Sequence, residues 1–253
     1  MSVRHTLQHR HRAAVAVAQQ SSWDLAVDAD NPLAWYKFEE TSGITVDDSA
    51  GTFDGTTSGS PTLGAGGKVG NACTFDGTND YVTLPALGTA GNYAYSEPMS
   101  VECWLKWTGT GIMRAAGTLD TATNMMFDLA VNMAGDGSAA TGRFVFRRRK
   151  SNSLRARASA RNDLNDGNWH HVVATQLNNG SFPNIFVDGV LDNGTTFTAA
   201  GPATDTVFDF PMIIGAWNNR GSIDSFFAGS IDEFLLYTTE LSSTQVATHY
   251  AAA

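Results

Sequence analysis

Ser100-Val101-Glu102-Cys103-Trp104-Leu105-Lys106-Trp107 alternates with a period of two. Val101, Cys103, Leu105 and Trp107 fall on one side of an extended strand and read as its core face. Outward from this segment, residues 34–39, 72–75, 81–84, 143–149, 154–159, 170–176, 184–187, 212–214 and 231–237 also read as strands, separated by Gly, Asn, Asp and Ser clusters. Short strands at such spacing signal a sandwich or barrel. Asp188-Gly189 between extended residues signals a type I′ hairpin turn, and Asp76-Gly77 and Asn193-Gly194 read the same way. Helix is sparse. Ser242 with Gln245 forms a capping box that opens a helix over 243–250, and Ser22 caps a short turn over 23–28 that Asn31-Pro32 stops.

Composition agrees with an all-β protein. The 253 residues include 25 glycines and only 16% charged side chains, against a usual share near a quarter. No apolar run approaches the roughly 18 residues of a membrane-spanning helix. Two cysteines exclude a disulfide scaffold and multi-cysteine zinc modules. Cys73 and Cys103 both read as small core hydrophobes, with a disulfide as the alternative. The net charge of −9 argues against nucleic acid as a partner. Basic residues concentrate in two places: Arg4, Arg10 and Arg12 at the start, and eight positions between 143 and 161. The apolar stretch 13–18 is short for a secretory signal, so folding in a cytoplasm is expected. Residues 1–20 read as a basic arm, 21–32 as a lead-in and 33–253 as one domain without a second core.

Catalytic patterns are missing. Glycosidases need two carboxylates facing one bond. Glu39-Glu40 and Asp232-Glu233 are adjacent and splay apart, and Glu102 stands alone. His170 and His171 face opposite sides of one strand, and read as core packing plus a solvated imidazole. No nucleophile elbow, zinc helix or Walker loop occurs, so a non-enzymatic protein is expected. A sugar-binding loop has its residue types in Trp217-Asn218-Asn219-Arg220, followed by Asp224 and Phe226. There Trp217 would stack on a sugar ring; alternatively it packs over a sheet edge. Tyr93 and Tyr95 form a second candidate. The basic stretch 143–161 is either a solvated strand face or a patch for acidic protein surfaces or anionic glycans.

Several blocks, in order, resemble the laminin G-like jelly-roll domains of the concanavalin A-like superfamily. They are Trp35-Tyr36-Lys37-Phe38-Glu39-Glu40-Thr41-Ser42-Gly43, Asp47-Asp48-Ser49-Ala50-Gly51, Phe75-Asp76-Gly77 with Asp80-Tyr81-Val82, Trp169-His170-His171-Val172, Phe186-Val187-Asp188-Gly189 and Gly229-Ser230-Ile231-Asp232-Glu233. The resemblance implies a two-sheet antiparallel jelly-roll sandwich with a short C-terminal helix behind an N-terminal arm. It also implies a Ca²⁺ ion held by Asp48 and Asp232, with carbonyls from 51–55 completing the shell. The alternative makes Asp47, Asp48 and Asp54 ordinary turn residues. The lead-in Trp23-Asp24-Leu25-Ala26-Val27 and the run from Ala29 to Tyr36 are similar to the entry into such domains in minor tail and capsid decoration proteins of tailed bacteriophages. That similarity implies a multicopy virion adhesion protein assembled in the host cytoplasm. Arg4, Arg10 and Arg12 would attach it to other virion proteins, and the jelly roll would face a host cell-wall glycan, with no nucleic acid or membrane partner. The alternative is a bacterial cell-surface carbohydrate-binding protein or a module related to glycoside hydrolases.

Overall fold

The computed structural model describes residues 20–86, 97–119, 125–150, 153–177, 180–199 and 211–253. Arg4, Arg10, Arg12, Tyr93 and Tyr95 lie outside them. Two sheets, antiparallel save for one strand pair, face each other as a sandwich, as the strand pattern and the resemblance implied. The smaller has eight strands, in the order Val190–Leu191, Asn184–Val187, His170–Gln176, Met99–Lys106, Ala228–Tyr237, Asn71–Asp76 and Thr62–Gly66, with Ala34–Tyr36 also paired to Ala228–Tyr237. The larger has eleven. Its main path runs Asn193–Ala199, Ser153–Ser159, Ala139–Lys150, Met125–Met133, Met113–Leu119, Ile213–Ile214, Tyr81–Thr83, Gly55–Ser58 and Thr45–Val46. Trp217–Asn219 joins it as a parallel neighbour of Met113–Leu119 and pairs with Ser222–Asp224.

The core between the sheets is built from alternating inward residues. Val101, Cys103, Leu105 and Trp107 meet Phe127, Leu129, Val131, Phe144 and Phe146. Cys73 and Cys103 are both buried and free. Burial raises the Cys73 thiol pKa above its ordinary range, and does the same for Cys103, so both behave as apolar groups.

Glu102 and Trp104 on the opposite side of the central strand are as enclosed as the core face, at 0% and 1% exposure. A second apolar cluster covers them: Trp23, Val27, Trp35, Trp104, Val173, Leu235, Leu241 and Val246. Its lid is two helices, Ser22–Asp28 and Ser243–Ala252. Each opens with a capping box, from Ser21 to Asp24 and from Ser242 to Gln245. The first cap therefore sits one residue before Ser22, because Asp24 at the third helical position reaches back to it. The lead-in helix, through Trp23 and Val27, is part of this second cluster.

Beneath the lid, Glu102 accepts hydrogen bonds from His171 Nε2 at 2.7 Å, Tyr237 Oη at 2.9 Å and His249 Nδ1 at 3.0 Å. The other nitrogen of His249 lies 3.0 Å from Asp30 Oδ2. This network ties both ends of the described chain to the central strand. His171 is wholly buried and His170 nearly so, with Nδ1 3.0 Å from Asp188, so neither is a solvated imidazole.

Two turn expectations also change. Asp188-Gly189 makes the expected hairpin, both residues having positive φ. Asp76-Gly77 instead carries the chain from the smaller sheet to the larger, because Asn71–Asp76 and Tyr81–Thr83 pair with strands of different sheets. Asn193-Gly194 opens the extended strand Asn193–Ala199, paired with Ser153–Ser159.

Candidate functional site

The outer face of the larger sheet gathers charges that are far apart in sequence. Phe127, Leu129 and Val131 point into the core, so Asp128 points outward from the same strand. It is nonetheless fully buried, because two arginines close over it. Arg147 sits directly opposite on the next strand and donates from Nε at 2.8 Å and Nη2 at 2.5 Å. Arg114, from the other side, donates from Nε at 3.2 Å. The arginine side chains keep 14% and 13% of their own surface in contact with solvent, while Asp128 keeps none.

Arg114 is fixed a second time. Its backbone N–H donates to the Ser225 carbonyl and its Nη1 to Ser225 Oγ, whose hydroxyl donates to Asp224 Oδ1. Its guanidinium carbon lies 5.6 Å from the centroid of the Trp217 ring. That ring lies against the strand at Gly117, where a Cβ would come 2.7 Å from it, so a residue without a side chain is required there. Leu154, Ala156 and Trp217 form a small apolar cluster beside the charged groups. Arg147 and Asp128 thus occupy the middle of a face with an apolar flank and a polar rim.

Trp217 has only 6% exposure, so it is not the open stacking platform expected of it. It packs across the sheet, as the alternative had it, and its face is capped by Arg114. Asn219 belongs to the same network through a 3.4 Å contact to Asp224. Asn218 is used in its own turn, accepting from Gly221 N–H, and Arg220 is an exposed turn residue with φ of 57°. Arg147 lies in the basic stretch 143–161 that the sequence offered as an anion-binding patch, whereas Asp128 and Arg114 were not picked out. One signal was present: a lone carboxylate in the apolar run Phe127-Asp128-Leu129-Ala130-Val131 needs a partner if that run is a strand.

The two acids expected to share Ca²⁺ serve separate turns. Asp48 spends both oxygens on backbone donors, Oδ1 on Trp35 and Ala50, Oδ2 on Phe53, which is the ordinary turn role. Asp232 Oδ2 accepts from Lys68 and Val69 N–H, while its buried Oδ1 has no partner. Burial first, and then the Glu39 charge, raise the Asp232 carboxyl to about 7 against the pull of these hydrogen bonds. Among the described residues no group of three or more His, Cys, Asp or Glu side chains is placed to hold a metal ion.

A separate cleft of about 380 Å³ opens at the end of the smaller sheet, lined by Phe75, Lys106, Trp107, Thr108, Gly229 and Ser230. Its walls are mainly backbone and core side chains, with Lys106 as the one charged group.

Comparison with known proteins places the architecture. No curated protein matches the sequence significantly. Domain 4 of AbnA, an extracellular GH43 arabinanase from Geobacillus stearothermophilus, solved with arabinotriose, superposes with a TM-score of 0.61 at 23% identity, over 87% of this chain and 98% of that one. The binding domain of botulinum neurotoxin DC, solved with a ligand named SialylT, superposes with a TM-score of 0.64 at 13% identity, over 88% of this chain. A botulinum neurotoxin type C structure gives 0.65 at 12% identity. This chain spans about half the length of these neurotoxin chains, 51% and 52%. At these identities the likeness establishes the fold. The sequence itself matches a family model over residues 76–247, more than half the chain, and the chain belongs to the concanavalin A-like lectin/glucanases superfamily.

Proposed function

We propose that this chain is a non-enzymatic glycan-binding protein whose ligand lies against Arg114 and Arg147 on the outer face of the larger sheet. The observation that carries this reading is the buried Asp128 carboxylate, which pins two guanidinium groups side by side with part of each in solvent. A guanidinium is a planar fork of N–H donors, and Asp128 and Ser225 leave some of those donors unused. Donors already locked in place bind hydroxyls without the entropy cost of ordering long side chains. Solved neighbours of the same fold hold arabinotriose and a sialyl-named ligand, which supports a sugar as the ligand class. Binding without catalysis is supported by the central carboxylate, shut off from solvent beneath two arginines and out of reach of a glycosidic oxygen.

The finer reading is a virion adhesion protein of a tailed bacteriophage. It rests on the lead-in from Trp23 to Tyr36 and on the basic arm with Arg4, Arg10 and Arg12. A second reading, a module related to glycoside hydrolases, is favoured by one observation: the arabinanase domain is matched over 98% of its own length.

A glycan array probed with the full chain tests the class. Arg147→Gln removes donors and leaves Asp128 with one guanidinium, so binding should weaken about tenfold, the loss of one charge-assisted interaction. Unchanged binding by a folded variant would remove this face from the reading. Mass spectrometry of purified phage particles tests the virion assignment, which fails if the chain is absent from them.

A further inference from the structure

Arg149 stands two residues beyond Arg147 on the same strand and on the same outer face, directly opposite Leu154 of the apolar cluster. The neighbouring arginines of this hairpin are engaged, save Arg157, whose buried Nε has no hydrogen-bond partner. Arg143 donates to the Ser159 carbonyl, Arg147 to Asp128, Arg148 to the Glu97 carbonyl and Arg155 to Thr198 Oγ1. Arg149 is half-buried, and among the described residues it has no hydrogen bond or ion pair. Burial, and then the charge of Arg147, push its pKa below the usual arginine range, against the opposing pull of the Asp128 charge. Asp128 is already bonded by Arg114 and Arg147, so a third guanidinium held partly out of water beside them is stabilised by a further anion.

We infer that the glycan is acidic, its carboxylate or sulfate accepting from Arg149 and Arg147 together. This rests on the glycan-binding reading above and adds the charge of the ligand. Along a strand, i and i+2 residues are roughly 7 Å apart, a gap two long side chains close around one anionic group. On a chain of net charge −9, diffuse attraction does not draw anions in, so selectivity has to come from these local groups.

The test is an array carrying each sugar backbone in uncharged, carboxylated and sulfated forms, probed with the full chain at low and high salt. A charged form should exceed its uncharged partner by about tenfold, a margin that shrinks as salt rises. Comparing the carboxylated and sulfated arms tells which group is taken. Arg149→Gln should bring the charged forms down to the level of their uncharged partners, and Arg149→Lys should restore part of the margin; melting curves confirm that each variant is folded. Equal binding of charged and uncharged forms, or a margin that survives Arg149→Gln, overturns the acidic ligand and leaves glycan binding standing. Absence of binding to every form overturns both.

Discussion

Glu102 carries a negative charge with no water around it. Burial opposes its ionisation, yet hydrogen bonds from His171 and His249 outweigh that and hold the carboxyl at about 2. For His249 burial disfavours the imidazolium, but the hydrogen bond and charge of Glu102, with the charge of Asp30, lift its pKa above the ordinary 6.5. The two shifts have opposite consequences. A raised histidine contributes stability that is complete below 6.5 and is lost as pH rises through its folded value. A depressed glutamate contributes stability that is complete above 4.5 and is lost as pH falls toward 2. The pair therefore stabilises most between these two ordinary values. His249→Gln should cost about 3 kcal/mol inside that window, because it leaves a buried charge with one fewer partner. The difference in melting temperature between wild type and variant should narrow as pH rises above neutrality. A gap that stays constant from pH 5 to 9 would show that His249 is not charged in the fold.

Strands were legible where side chains alternate and turns where glycine follows aspartate, because both signals are local. Residues 170–176 and 184–187 read as strands with the observed bounds, since β-branched and aromatic residues fill them. Met113–Leu119 and Met125–Met133 escaped, because alanine, glycine, an arginine and an aspartate break their apolar pattern. Those two strands supply Arg114 and Asp128. This part of the site was hidden for the same reason the strands were: its charges sit outward on strands whose partners are set by sheet order, which no short window of sequence contains. The Asp76-Gly77 turn failed in a related way. Its local geometry was read as a hairpin, while its destination, the other sheet, depends on pairing partners many residues away. Trp217 kept its place in the picture but changed role, because Gly117 lets its ring lie down against the sheet.

In the whole molecule, the two sheets divide the work. The smaller is covered on its outer side by two helices and a buried ionic network, which closes that face to a ligand over Glu102 and Trp104. The larger presents Arg114, Asp128, Arg147 and Arg149 outward. A chain that displays such a face in many copies gains adhesion from weak single sites, because linkage raises the effective concentration of each. The location of the bound sugar is therefore the decisive observation. Backbone amide chemical shifts of the isotope-labelled chain, titrated with the strongest array ligand, report it directly. Binding as proposed shifts the amides of residues 114–118, 127–130, 145–149 and 217–225 and leaves Lys106, Thr108 and Gly229 unmoved. Shifts confined to the cleft around Lys106 and Gly229, with the Arg114–Asp128–Arg147 strands unmoved, would contradict it.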